Sequence, residues 1–474
     1  MESTASARST SSRGDGQRDG VVCHRQPDGA LGLDVGEAGE VLYRRRAEPD
    51  AGVGVRFLYS FPDGCEAVVE LRLGESRAHG AVWVALGQKG SSERWVGQRV
   101  PRNALGCRVC GTLMTDTTAI DVPDSSRPFR YDGKVSPGEK RHFRYEISET
   151  YLGDPVEVPV TVINGSEPGP RLCLTAAIHG DELNGVKVCQ QAAKRYSPAD
   201  IHGTLVVVHV VNVPGYQAQQ RYIPIYDQDL NRSFPGQEQG NTASRMAHEV
   251  FERFVKPCDL CLDFHTSTRN RTTMYHARAN VSDPAVERLT RAFGANLVLS
   301  GTGDSGSLRA VATASGTPTV AVEMGKAHRF QPTLIEKALD GVESVLAEYD
   351  MLPGHPVLHP GWRRVIGDDT EKSWLRADTG GLVDMQWGPY PLVRAGETIC
   401  TITDHFGEEE HAVSAPFTGL LVGVLENPVA LPGHPLCHLA AVDDDTCAEI
   451  EAEIESGEFD GYRVNGGRWR AGDD

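Results

Sequence analysis

Between residues 134 and 352, apolar runs of strand length alternate with helical stretches, and this alternation constrains the chain more than any other feature. The strand candidates are VEVPVTVING (156–165), RLCLTAAIHG (171–180), TLVVVHVVN (204–212), LCLDFHTS (260–267), ANLVLS (295–300) and TPTVAVEMG (317–325). Helical stretches at 182–196 and 241–255 lie between several of them. Such a chain is expected to build a mixed, mostly parallel sheet covered by helices on both faces. An amphipathic helix at 341–352, stopped by Pro353-Gly354, closes the domain.

The flanking regions read differently. Residues 1–20 form a polar tail expected to be disordered. Residues 21–133 are β-rich, with short runs at 53–61, 66–73 and 80–86, and carry no assignable chemistry. Residues 354–441 return to short strands punctuated by Gly and Pro, as in a small antiparallel barrel. Residues 442–474 are acidic, as a solvated helix or tail. A length of 474 residues suits two or three domains.

A formal charge of -18 argues against nucleic acid and against an anionic membrane surface as partners. No apolar run approaches the length of a membrane span, and the N-terminal stretch lacks the apolar segment of a secretory signal. Eleven cysteines, scattered through apolar segments, suit reduced thiols in a cytoplasmic protein. Cys107 and Cys110 form a lone CxxC, which reads as a turn with two ordinary thiols rather than a zinc knuckle.

Chemistry gathers at the ends of the apolar runs. The run from Arg171 ends in His179-Gly180-Asp181-Glu182, which delivers a histidine and a carboxylate at the C-terminal end of a strand. Open α/β sheets place their ligands there. His179 and Glu182 are good zinc donors, and His265, at the end of another apolar run, is an available third. Three protein ligands leave a fourth position for water, as in catalytic zinc sites. Asp263 is a candidate partner for a ligand imidazole.

In the Asp227–Gly236 segment, Asn231 and Arg232 suit a grip on a carboxylate. Arg221 is placed to stabilise an oxyanion. Glu323 ends a further apolar strand, where a carboxylate is costly unless it faces a cleft, and beside an activated water it would be a general base.

Together HGDE (179–182), DLNRSFPG (229–236), DFHTS (263–267), SLRAVATASGTPTVAVEMG (307–325) and APFTGLLVGV (415–424) resemble the succinylglutamate desuccinylase/aspartoacylase family of zinc hydrolases, relatives of the M14 carboxypeptidases. The resemblance spans roughly 134–441 and implies a zinc-carboxypeptidase-like sheet with a small C-terminal β domain. It implies one Zn2+ per chain on His179, Glu182 and His265, with Glu323 as base and Arg221 at the oxyanion. Asn231 and Arg232 would bind a substrate carboxylate, and Arg309 would be a second such contact. The activity implied is hydrolysis of the amide bond of a small N-acyl amino acid or related N-acylated compound.

Lys326, beside the base, suits lowering the base's pKa or contacting an acidic substrate, with a solvent-facing lysine as the other reading, while Arg269 and Arg271, just after a ligand, are candidates for setting the acyl group. Residues before 134 lie outside the resemblance; gating the site, making a homo-oligomer and binding a carrier or other partner are all compatible with them. A peptidase is a reading of the same class. A reading of another class comes from Gly301-Thr302-Gly303-Asp304-Ser305-Gly306, a GxGxxG after an apolar run that suits an NAD-binding oxidoreductase. That reading leaves HGDE, DLNR and DFHT without a role.

Overall fold

The computed structural model describes residues 128–456, apart from 225, 268–269, 356, 358–363, 368 and 389–391, and six strands between residues 21 and 100. The chain divides into two compact units, 1–119 and 120–474. In the first, Gly54–Ser60, Cys65–Arg72, Ala81–Gln88 and Val96–Val100 form an antiparallel four-stranded meander, and Val21–Arg25 pairs with Leu31–Val35. The region is β-rich, as expected. Cys107, Cys110 and both termini lie outside the described residues.

The second unit is organised by one 13-stranded mixed sheet. Its elements used below are β1 (Glu139–Glu149), β2 (Pro155–Asn164), β3 (Glu167–Ala176), α1 (Asn184–Arg195) and β4 (His202–Val208). They continue with α2 (Thr242–Val250), β5 (Leu260–Ser267), β6 (Arg271–Ala279), α3 (Pro284–Phe293) and β7 (Leu297–Ser300). The last are α4 (Leu308–Ala314), β8 (Thr319–Lys326), α5 (Pro332–Glu348), β9 (Lys372–Arg376), β10 (Gly419–Leu425) and β11 (Pro435–Ala441). The main strand order is β9-β11-β10-β6-β8-β5-β3-β4-β2-β1.

Strands β4, β3, β5 and β8 run parallel at the centre, so their C-terminal ends share one edge. Register is set by alternation within nearly continuous apolar runs. Leu172, Leu174, Leu260, Leu262, Phe264, Val320 and Val322 face a core with α1, α3 and α5. On the other face, Cys173, Cys261 and Val206 pack with Met246 and Val250 of α2 and Leu308 and Ala312 of α4. Both faces are therefore sealed, and the loops at the strand ends are left for chemistry.

Two expectations are sharpened. The closing helix is α5, which begins at Pro332, well before 341. The segment 354–441 contributes to two sheets. Gly381–Met385, Thr398–Thr403, Glu410–Ser414 and Val429–Ala430 make a four-stranded sheet, while β9, β10 and β11 extend the main sheet through the antiparallel β6–β10 pair. Among the described residues no helix is long and apolar enough to cross a membrane, and Cys173, Cys189, Cys258, Cys261, Cys400, Cys437 and Cys447 are free and buried.

Candidate active site

The loop after β3 is fixed by the loop after β4. Val211 and Asn212 donate their amides to the carbonyls of Ala176 and Ala177, and Gly180 donates to the carbonyl of Arg221. Gly180 is required by packing: a Cβ there would stand 2.0 Å from the backbone carbon of Gly215. Asn184 opens α1 and is fully buried; its amide donates to the carbonyl of Met324 and to Gln331. The HGDE loop is thus tied directly to the end of β8.

These ties bring the three sequence-predicted donors together. One ligand atom each from His179, Glu182 and His265 lies within 4.8 Å of the others, and all three side chains are buried. His179 Nδ1 is 2.7 Å from Glu182 Oε1, and His265 Nδ1 is 3.0 Å from Glu182 Oε2. Each imidazole presents its other nitrogen to an aspartate: His265 Nε2 is 2.7 Å from Asp263 Oδ2, and His179 Nε2 is 3.3 Å from Asp229 Oδ1. Asp263 is held in turn by the Thr175 hydroxyl, 2.7 Å away. Carboxylate–histidine pairs of this kind orient imidazoles for a metal. Asp263 takes the place expected of it; Asp229 was not anticipated.

Charge follows geometry. Burial works against an ionised Glu182, but His179, by charge and hydrogen bond, and His265 outweigh it and hold the carboxyl well below the usual range. Burial would lower the His265 pKa, yet Asp263 and Glu182 raise it well above the ordinary value. Asp229 is half-buried, and against that desolvation the hydrogen bond from His179 and the charge of Arg221 hold its carboxyl well below the usual range. Arg221 donates to Asp229 Oδ2 at 3.0 Å and sits 3.7 Å from Glu182. Against the cost of its burial, Glu182 and Asp229 hold it cationic.

A cavity of about 560 Å³ opens beside this cluster. Arg221, Asp229, Arg232, Thr266 and Glu323 line it on the catalytic side, and Trp374, Arg376, His434 and His438 line it from the C-terminal strands. Glu323 is the register partner of His265 across β5 and β8. The Trp374 ring stacks on His438 at 4.8 Å, and Arg271 sits over Trp374.

The predicted arginines fare unevenly. Arg221 and Arg232 face the cavity, and Arg232 is paired with Asp304 at 2.6 Å. Asn231 and Arg309 do not line it. The Asn231 side-chain oxygen accepts from the Leu308 amide at the start of α4, so it fixes the loop that carries Arg232. Arg309 turns back to the carbonyl of Gly301; burial and the charge of Arg278 lower its pKa to about 10. Lys326 is committed to Glu426 at 2.6 Å and Arg271 lines the cavity, while Arg269 lies outside the described residues.

The GxGxxG loop has a structural use. A Cβ at Gly306 would stand 2.4 Å from the Arg232 carbonyl oxygen, and the Phe234 amide donates to the carbonyl of Gly306. The loop is a seam against the DLNR loop, and the first amide of α4 is already taken by Asn231.

The sheet is mixed rather than mostly parallel as expected, with parallel pairing confined to its centre and to β6, β7 and their neighbour. A buried His–Glu–His cluster at the C-terminal edge of the central parallel strands, walled by a cavity with a neighbouring carboxylate, is an arrangement for hydrolysis. Residues 168–349 match the model of the succinylglutamate desuccinylase/aspartoacylase catalytic domain. The chain is 28% identical over 258 residues to the N-alpha-acetyl-L-2,4-diaminobutyric acid deacetylase of Halomonas elongata, a match covering 52% of this chain and 75% of that protein. It is 32% identical over 108 residues to a probable aspartoacylase of Prochlorococcus marinus, covering 22% of this chain and 35% of that one. The fold resembles that of the product-bound ectoine utilization protein EutE from Ruegeria pomeroyi, with a TM-score of 0.60 and 23% identity over 67% of this chain and 99% of that one.

Proposed function

We propose that the domain hydrolyses the amide bond of a small N-acyl amino acid or related N-acylated compound, with one zinc ion per chain held by His179, Glu182 and His265. The convergence of these three buried donors carries the reading. Two imidazoles and a carboxylate, with an aspartate behind each imidazole, fit zinc in both donor type and support.

When bound, such a metal polarises a carbonyl and makes water nucleophilic near neutral pH. Glu323, beside His265, takes the proton of the attacking water on its carboxylate and passes it to the departing nitrogen. Arg221, held by Asp229, donates to the oxygen of the tetrahedral centre, a contact worth about 3 kcal/mol in the transition state. Arg232 is placed to hold a substrate carboxylate, with Asn231 fixing its loop.

The cavity suits a small compound better than a long peptide, because β9 and β11 wall its far side with Trp374, Arg376 and His438. Among the described residues Arg221, Arg232, Arg271, Arg278 and Arg376 face it with only the carboxylates of Asp229 and Glu323, which favours an anionic compound. The relative named for N-alpha-acetyl-L-2,4-diaminobutyric acid supports N-acetyl amino acids as the first compounds to try.

The test is a screen of N-acetyl, N-succinyl and other N-acyl amino acids with zinc-loaded protein, following release of free amine. Release from at least one compound, abolished by chelation, is expected. A zinc-loaded protein that releases amine from none of them overturns the reading.

A further inference from the structure

Arg232 is already engaged by the protein itself. Its Nη2 donates to Asp304 Oδ2 at 2.6 Å, and its Nη1 donates to the carbonyl of Asn231 at 2.9 Å. Asp304 belongs to the GTGDSG segment, 301–306, which no step of the proposed chemistry uses. Arg232 lines the cavity and Asp304 does not, so the aspartate meets the guanidinium from outside the cavity.

The C-terminal side of that segment is pinned while its tip stays in solvent. The Phe234 amide donates to the carbonyl of Gly306, and the Leu308 amide donates to the Asn231 side chain. The Ser307 amide and hydroxyl both donate to the carbonyl of Asp304. These ties deliver Asp304 to Arg232 and leave residues 302–305 exposed.

Exposure separates this pair from the other arginine–aspartate pair of the site. The Arg232 and Asp304 side chains are 45% and 68% exposed, against 18% for both Arg221 and Asp229. Water competes for an ion pair so exposed and holds its strength low. A ligand carboxylate can therefore take the place of Asp304. Asp229 is fixed more firmly, because it meets His179 as well as Arg221.

We infer that Asp304 competes with the substrate carboxylate for Arg232 and thereby sets how tightly the site binds anionic compounds. The inference rests on the deacylase reading, with Arg232 as the carboxylate contact. A guanidinium already paired with one carboxylate attracts a second less, since its charge is compensated and the two carboxylates repel each other. The same competition acts on the amino acid released by hydrolysis, which keeps its carboxylate, and favours its departure. Asp304 acts through Arg232 and touches none of the reacting atoms. A brace that merely held Arg232 in place would have the opposite effect, because its removal would weaken binding.

The test compares N-acetyl-L-alanine, N-acetyl-L-glutamate and N-alpha-acetyl-L-2,4-diaminobutyric acid, each with its α-carboxamide. The proteins are wild type, Asp304→Ala, Asp304→Asn, Arg232→Ala and the double variant with both alanines. Asp304→Ala should lower KM for all three acids by about 2–5-fold, the worth of one exposed ion pair, with kcat unchanged. Asp304→Asn, which keeps the shape and loses the charge, should give part of that gain. KM for the carboxamides should not move, and the gain should vanish when Arg232 is alanine.

Calorimetry with free L-alanine and L-glutamate, which needs no turnover, should show binding tightened by the same factor in Asp304→Ala. Weaker binding or a higher KM in that variant would make Asp304 a brace and overturn the inference. A gain that persists in the Arg232→Ala background would be a general effect of charge, and would overturn it too. A loss confined to the diaminobutyric compound would make Asp304 a receptor for its ammonium group, against the inference. Equal binding by wild type and Asp304→Ala, or none by either, would also overturn it. If wild type hydrolyses none of the compounds, the deacylase reading fails, and the calorimetry still decides whether Asp304 competes for anions at Arg232.

Discussion

His265 and Glu323 are register partners on adjacent parallel strands, β5 and β8. One rung of the sheet therefore sets the spacing between the third proposed metal donor and the proposed base. The same rung continues to His276 on β6. The distance from donor to base is a property of the sheet, and loop motions leave it unchanged.

Zinc titration should saturate at one ion per chain. His179→Ala, Glu182→Ala and His265→Ala should each abolish stoichiometric binding, because two remaining donors do not make a closed half-shell. Elemental analysis after dialysis is the measurement. Full occupancy in any of the three variants would remove that residue from the ligand set.

Glu323→Gln should retain zinc and lose activity by about 10²–10⁴-fold in kcat, the usual size of a general acid–base contribution. The amide keeps the shape of the side chain and cannot carry the proton. Unchanged turnover would refute the assignment of the base.

Asp229→Asn should weaken zinc binding by about 10–100-fold, since Asp229 orients His179 through its Nε2. It should also reduce kcat, because the same carboxylate holds Arg221. A competition titration with a chelator reads the first effect separately from the second. Equal zinc affinity in Asp229→Asn and wild type would show that His179 needs no such support.

His209 provides a pH effect away from the site. It sits between Thr161 and the charge of His142, and burial, then His142, lowers its pKa to about 4. Folded His209 stays neutral while the unfolded chain, with a value near 6.5, takes up a proton. Stability is then complete above the unfolded value and is lost as pH falls from about 6.5 toward 4, by at most roughly 3 kcal/mol. Urea unfolding of His209→Gln against wild type should show a flatter dependence in that window. A parallel dependence would acquit His209.

The proposed reacting set was legible in the sequence for a local reason. His179, Glu182, His265 and Glu323 each end an apolar run, and parallel strands put such ends on one edge. Strand β6 was not legible. RTTMYHARA contains no apolar run and is buried by polar residues such as Thr272 and His276, so Arg278 drew no notice. Asp229 read as part of a loop, because its partner His179 lies 50 residues away.

By itself, then, the sequence determined the α/β alternation and pointed to the candidate donors and the candidate base, since each depends on hydrophobic periodicity and on residues within a few positions of a strand end. Tertiary structure alone decided which charges are free to meet a ligand. Lys326 is neutralised by Glu426 and Arg309 is turned back to Gly301, while Arg278 forms an ion pair with Glu323. It also decided that β9–β11 join the catalytic sheet and wall the cavity. The physical reason is the same in each case: pairing between distant strands and between opposite charges is set by packing in three dimensions, and no local pattern in the chain encodes it.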